Sequence, residues 1–405
     1  MSLRKALWRV VQGVMVLFAV IVAGIGVLLA LMGLEHGNEL ELPAPTGHFA
    51  VGRSTYAWVN EAATDELAPA SGAKREVVVW IWYPAEAGSG SAAEYLPAAW
   101  QEPLARSSGV LMTRFLTHDL SKVRVHARSD AAVSGEERSY PVALLRAGGA
   151  ALTTDFTILA EDLASHGYVV VGFDAPYRSV VTVFPDGRVA LRSAAGDIEQ
   201  AAPAEMANVA NRLLPMWTGD ARFVVDGLER LNMIDARFRG RLALDKLGFF
   251  GHSFGGATAL QFCHDDTRCK VGIDLDGEPF GSVVKESTKQ PFLILLSDHG
   301  NWNAPEPRQV MSDLRSIYDR LPEGRMMLYL RGANHFTFSD QILVKSQYLM
   351  GLLQHLQKGS LERRRGLRIV TDYVHTFFDV HLKGGSAEAL EGLRREYPEA
   401  REIPR

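Results

Sequence analysis

The chain has 405 residues, which suits one large α/β domain or two ordinary ones and is too long for a single small module. Hydrophobic residues make up 47% and charged residues 22%, a globular balance that excludes a disordered chain. With 43 basic against 47 acidic residues the net charge is −4, which gives no basic face for nucleic acid, and two cysteines exclude a disulfide-stapled miniprotein.

The average hides one segment. Residues 10–34 carry no charge, and Gln12 is their only strongly polar side chain. As a helix rising 1.5 Å per residue they reach roughly 37 Å, more than the ~30 Å of a hydrocarbon core. The run is longer than the apolar part of a cleaved signal peptide, and Gly24-Ile25-Gly26 is only a poor cleavage site. The pattern therefore predicts an uncleaved signal anchor. Arg4, Lys5 and Arg9 precede it and Glu35, Glu39 and Glu41 follow it, so residues 1–9 are expected in the cytoplasm and the rest outside. The 34 leading residues carry three basic groups and no acidic one, which leaves 40 basic and 47 acidic residues, or −7, on the exported part. This layout fits a bacterial inner-membrane protein facing the periplasm, or a secreted protein if the segment is removed.

Residues 35–46, polar with two prolines, read as a tether. A catalytic domain over 47–384 and a tail over 385–405 complete the expected organisation. Within the domain, strands are predicted at residues 76–84, 141–145, 168–174, 247–250, 271–275, 291–296 and 325–330. Helical patterns lie at 156–166, at 197–231 with Pro203 and Pro215 as interruptions, at 256–264 and at 361–382. Continuous apolar strands alternating with helices imply a mostly parallel sheet covered on both faces, in one α/β domain.

Gly251-His252-Ser253-Phe254-Gly255-Gly256 sits between a strand ending at Phe250 and a helix of small residues. That is the strand–turn–helix setting of a nucleophile elbow, which predicts Ser253 as nucleophile. The expected chain order puts the acid and base downstream of the serine. His335 follows the strand ending at Leu330 in a glycine-containing loop and is the expected base, with His299 as its rival. The acid is expected at Asp276, directly after the strand 271–275, with Asp298 after the next strand as the alternative. Asp274 lies inside its strand and is given a structural role. An ester intermediate needs two backbone donors. These are expected from Phe254 and from Gly149, with Gly148 or Ala150 as alternatives to the latter.

Together these residues resemble the secreted-type platelet-activating factor acetylhydrolases of the α/β-hydrolase superfamily. The likeness runs from about Thr46 to His381. It is carried by Thr46-Gly47, Val51-Gly52, Trp82-Tyr83-Pro84, Asp162-Leu163-Ala164-Ser165-His166-Gly167, the elbow hexapeptide, Asp276, and Arg331-Gly332 with His335. The resemblance implies an α/β-hydrolase fold and serine esterase chemistry with no metal or organic cofactor. It implies a lipid or small-molecule ester as substrate and favours Asp276 over Asp298. The family usually has Ser-His-Gly-x-Gly in its oxyanion loop, whereas this chain reads Arg146-Ala147-Gly148-Gly149-Ala150.

Cys263 and Cys269 lie six apart between the elbow helix and the acid strand, where either a local disulfide or two buried thiols fit. With His264 they offer too few ligands for a metal. Apolar clusters at 110–116 and 213–217 read first as core, with an acyl pocket or bilayer contact as the other reading. The remaining functional classes are a general carboxylesterase and a hydrolase-fold binding protein without chemistry.

Overall fold

The structure is a computed structural model that describes residues 3–149, 151–202, 204–300, 305–356 and 360–403. Eight strands form its centre: β1 (Ala50–Thr64), β2 (Lys74–Ala85), β3 (Tyr140–Arg146), β4 (Val169–Asp174), β5 (Leu242–His252), β6 (Cys269–Leu275), β7 (Phe292–Leu296) and β8 (Met326–Leu330). Their order across the sheet is β1-β2-β4-β3-β5-β6-β7-β8. Only β2 runs against its neighbours in this set. Every residue of β3, β4 and β7 is buried, which explains why these strands read as unbroken apolar runs. This is the α/β-hydrolase arrangement expected from the sequence.

Five helices cover the sheet and form the apolar N-terminal end: α1 (Leu3–Gly37), α2 (Thr157–Ser165), α3 (Met206–Ile234), α4 (Phe254–Asp265) and α5 (Arg363–Leu382). Helices α2 and α5 contribute Leu159, Leu163, Val370 and Phe377 to the core cluster on one face of the sheet. Helices α3 and α4 contribute Val224, Leu228, Leu260 and Phe262 to the cluster on the other. Helix α3 runs unbroken through Pro215, contrary to the expected interruption. The proline costs one backbone hydrogen bond, but Leu213, Leu214 and Trp217 are buried around it and hold the helix together. Pro203 and Ala150 lie outside the described residues.

Helix α1 contains a stretch, Val11–Gly37, long and apolar enough to cross a membrane, and its most apolar window is not buried against the domain. Residues 35–46, expected as a tether, make specific contacts with the domain. Glu35 accepts hydrogen bonds from Ser346 Oγ at 2.6 Å and from the Gln347 N–H at 2.8 Å. His36 Nδ1 lies 2.7 Å from the Thr117 carbonyl. Leu40–Glu41 pairs with the strand Val123–Ser129 beyond β1, and Leu42 is buried beside it. The polar composition of the segment is therefore spent on contacts far along the chain. The described residues of the tail, 385–403, also pack: Leu390 and Tyr397 are buried, and Ala400–Glu402 pairs antiparallel with β8.

Of the two apolar clusters, Leu213, Leu214 and Trp217 are core, whereas Val110 and Leu111 are 63% and 62% exposed. Cys263 and Cys269 form a disulfide that joins the end of α4 to the start of β6.

Candidate active site

The sheet order reverses between β3 and β5, because the chain leaves β3 for β4 on one side and returns to β5 on the other. Ligands in open α/β sheets bind outside the carboxyl ends of the strands at such a point. Ser253 stands there, at the end of β5. Its φ is +56° and its ψ −128°, a conformation rare for a residue with a side chain. Two glycines permit the sharp turn. A Cβ on Gly251 would fall 2.1 Å from the Gly255 carbonyl oxygen, and one on Gly255 would fall 2.0 Å from the Arg146 carbonyl oxygen. The Ser253 N–H donates to the Leu275 carbonyl at 2.9 Å, so the elbow is tied to the end of β6. Helix α4 starts immediately behind it and points its positive end at the serine.

Asp276 follows β6 with φ +55°. Its Oδ2 is 2.6 Å from His335 Nδ1, and its Oδ1 accepts the Ser297 N–H at 2.8 Å. His299, the rival base, lies with Nε2 3.7 Å from the same Oδ1, so it flanks the acid. Burial alone raises a carboxyl pKa, but the hydrogen bonds and charges of His299 and His335 outweigh it and hold Asp276 well below the usual carboxylate range. For His335, burial pulls the imidazole down, yet the hydrogen bond and charge of Asp276, helped by Glu199, leave it above its ordinary value.

His252 reaches across to this histidine. Its Nε2–H donates to the His335 carbonyl at 3.0 Å and the two rings are 4.3 Å apart. Burial, with the charge of His335 adding to it, lowers His252 to about 3, so it stays neutral.

The alternative acid does a different job. Asp298 Oδ1 accepts the Gly300 N–H at 3.0 Å and Oδ2 accepts the Gly332 N–H at 2.8 Å. It fastens the loop after β7 to the loop that carries His335. Asp274 is buried and accepts the Gly277 N–H at 3.0 Å; burial and the nearby Asp276 push its pKa well above the usual range, which favours its neutral form.

Gly148 is the residue packed against the nucleophile, since a Cβ there would lie 3.0 Å from Ser253 Cβ. A Cβ on Gly149 would instead meet Ile198 at 3.0 Å, with Glu199 at 3.7 Å. The Gly148 carbonyl accepts from the Ala151 N–H at 3.4 Å, which in a trans peptide turns the Gly149 N–H the opposite way. Arg192 Nη1 donates to the Gly149 carbonyl at 2.8 Å and pairs with Asp197 at 3.0 Å. Phe254 packs edge-on against Trp217 with ring centres 4.8 Å apart.

Arg192, Glu199 and His252 are site residues that sequence reasoning missed. His252 was visible inside the elbow motif. Arg192 and Glu199 sit in the long β4–α3 connection, and no local pattern marks them. Arg146 was read only as the start of the oxyanion loop. It is fully buried, with its guanidinium 3.8 Å from the centre of the Trp217 ring, under the position where the family usually has serine.

One further group of ligating side chains lies away from this edge. Asp162, His166 and His375 bring ligand atoms within 4.8 Å of one another. The two imidazoles stack at 4.2 Å and 18°, so their planes do not converge on one point. Asp162 already accepts from the Thr46 N–H at 2.9 Å and from His375 Nδ1 at 3.0 Å. The set fits a structural knot better than a tetrahedral metal site.

A sequence model described as platelet-activating factor acetylhydrolase, isoform II, matches residues 35–187 and 202–387. The chain belongs to this family. Among curated members, it is 25% identical over 279 residues to the Arthroderma benhamiae protein named "Probable 1-alkyl-2-acetylglycerophosphocholine esterase", covering 65% of this chain and 66% of that one. It is 24% identical over 336 residues to the dog platelet-activating factor acetylhydrolase, covering 78% of this chain and 69% of that one. The chain thus spans about two thirds of the length of these relatives. Among solved structures, a ferulic acid esterase from Streptomyces cinnamoneus aligns with a TM-score of 0.73 and 26% identity over 91% of this chain and all of the other. The family match starts at residue 35, where α1 meets the domain.

Proposed function

We propose that the chain is a serine ester hydrolase in which Ser253, His335 and Asp276 act through an acyl-enzyme. The observation that carries this reading is the 2.6 Å bond from His335 Nδ1 to a buried, ionised Asp276, beside a serine strained to φ +56° at a helix N-terminus. Bonded at Nδ1, neutral His335 keeps a basic Nε2 for the Ser253 proton. Asp276 stabilises the imidazolium that results. The tetrahedral oxyanion is assigned to the Phe254 N–H and an N–H of the Gly148-Gly149 turn, with Gly149 preferred. Water then releases the acid and regenerates the serine.

The substrate reading is a short or oxidised acyl ester of a phospholipid. It is supported by family membership and by an apolar helix fastened to the domain at its last turn. With that helix as an uncleaved anchor, the catalytic domain stands outside the cytoplasmic membrane. A second reading, a carboxylesterase for soluble aromatic esters, is favoured by the ferulic acid esterase likeness and by the oxyanion loop without its family histidine.

The test uses Ser253→Ala. Loss of ester turnover and of fluorophosphonate labelling, with the fold intact by circular dichroism, is expected; persistent turnover sinks the mechanism. A panel of micellar phospholipid esters against feruloyl and p-nitrophenyl esters separates the two substrate readings.

A further inference from the structure

A cavity of about 250 Å³ lies on the carboxyl edge of the sheet, the edge that presents Ser253. Its lining includes Leu152, Val180 and Lys345, from the connections after β3, β4 and β8. Two of those connections also carry Gly148 and His335. The helices Ala98–Ser108 and Val110–Arg114 add Leu104 and Met112. His36, in the last turn of α1, is part of the same lining. The cavity therefore lies between connections that leave the carboxyl edge of the sheet and the end of the apolar helix, and Ser253, Asp276 and His335 are not among its lining residues.

Its polar groups are incompletely matched. The mostly buried Lys345 has Met112 Sδ, at 3.7 Å, as its hydrogen-bond contact. Asp155 is nearby, but its Oδ2 already accepts from the Leu152 N–H at 2.9 Å and from Gln341 Nε2 at 2.8 Å, and its Oδ1 accepts from Tyr95 Oη at 3.4 Å. His118 is a second case. Its side chain is 11% exposed, Nε2 faces Glu35 at 3.7 Å, and Nδ1 is buried with no hydrogen-bond partner among the described residues. Arg114 adds a second permanent cation to the lining. Buried polar groups are almost always satisfied, so two underused ones in a single cavity point to a ligand that completes them. The ligand must be anionic for Lys345 and Arg114, and partly apolar for Leu104, Leu152 and Val180.

We propose that this cavity is a phospholipid subsite, in which Lys345 and Arg114 hold the head-group phosphate of a membrane ester while its acyl bond is presented to Ser253. The proposal rests on the reading of Ser253 as the ester-cleaving nucleophile. Phosphate is recognised by lysine as a point charge and by arginine through paired donors. The helix end in the lining gives the lipid a route from a bilayer that avoids full transfer through water.

The test uses the full chain in detergent micelles and two substrates that differ by one group: 1-alkyl-2-acetylglycerophosphocholine and 1-alkyl-2-acetylglycerol. The readout is the ratio of their kcat/KM values. Lys345→Met is expected to lower that ratio about tenfold, and Arg114→Gln, at an exposed position, about threefold. A ratio that stays within twofold of wild type in both variants overturns the proposal. If Lys345→Met does not fold, Arg114→Gln decides alone. Failure of the underlying reading looks different: the wild type would cleave neither substrate, and Ser253 would resist fluorophosphonate.

Discussion

Three aspartates crowd the carboxyl edge of β6 and β7, and their surroundings give each a different state. Asp276 is held toward its anion by two histidines and a backbone donor, Asp274 is pushed toward its neutral form by burial and the neighbouring Asp276, and Asp298 is a clamp between loops. Asparagine copies a neutral acid but not an anion. Asp276→Asn should therefore cost on the order of 10³–10⁴ in kcat, as loss of a triad carboxylate does elsewhere. Asp274→Asn should stay within about threefold of wild type. Asp298→Asn removes one of two accepted N–H bonds and should act mainly on stability, by about 1–3 kcal/mol. Steady-state kinetics and thermal unfolding of the three variants, run together, check the assignment. Equal loss at Asp298 and Asp276 would contradict it.

The same residues set a pH profile. His335 is faced by Asp276 and Glu199, which raise it, and by burial, His299 and the neutral His252, which do not. Its value lies above the ordinary ~6.5, and only the neutral form can take the serine proton. kcat/KM should then fall as pH drops through a midpoint above about 6.5. In Asp276→Asn the midpoint should move to lower pH, because the anion that favours the imidazolium is gone. Stability responds in the opposite sense: the His335–Asp276 contribution is complete below the unfolded value of about 6.5 and fades as pH rises through the folded one. A midpoint that ignores Asp276→Asn would remove His335 as the base.

At the scale of elements, local patterns were legible and distant pairings were not. The strand–turn–helix was readable because one hexapeptide contains both the glycines and the proposed nucleophile, and the strand and helix around it have their own periods. Asp276 and His335 could be singled out because the first directly follows an apolar strand and the second lies in the short loop after one. By contrast, Leu40–Glu41 pairs with a strand that starts at Val123, and Ala400–Glu402 pairs with β8, so nothing near either segment announces its partner. Asp298 was the alternative acid because its position after a strand is right; it accepts the Gly332 N–H, 34 residues away, which no local pattern marks. The docked segment can be tested. Leu42 is 2% exposed, so Leu42→Ala should cost about 2–5 kcal/mol in the full chain, as a core truncation does. A loss under about 0.5 kcal/mol by thermal unfolding would mean that the segment is loose in solution.

For the molecule as a whole, one sheet edge gathers the proposed nucleophile, base and acid, and two devices hold that edge in shape. One is the Cys263–Cys269 disulfide, which spans the turn between α4 and β6 and so connects the elements that carry Ser253 and Asp276. A loop this short limits its effect to about 2 kcal/mol. Reduction should lower the unfolding temperature by a few degrees and leave activity at 25 °C largely intact, which differential scanning calorimetry with and without dithiothreitol can read. The other is the joint between α1 and the domain, made by Glu35 with Ser346 and Gln347, His36 with Thr117, and Gly37 with Lys122. These contacts restrain rotation of the domain about α1. With α1 in a bilayer, the catalytic edge keeps one height and one heading above the leaflet, and encounters reduce to diffusion in two dimensions. Turnover on vesicles would then follow the surface fraction of substrate in that leaflet and be diluted by inert lipid, even when the bulk concentration is held constant.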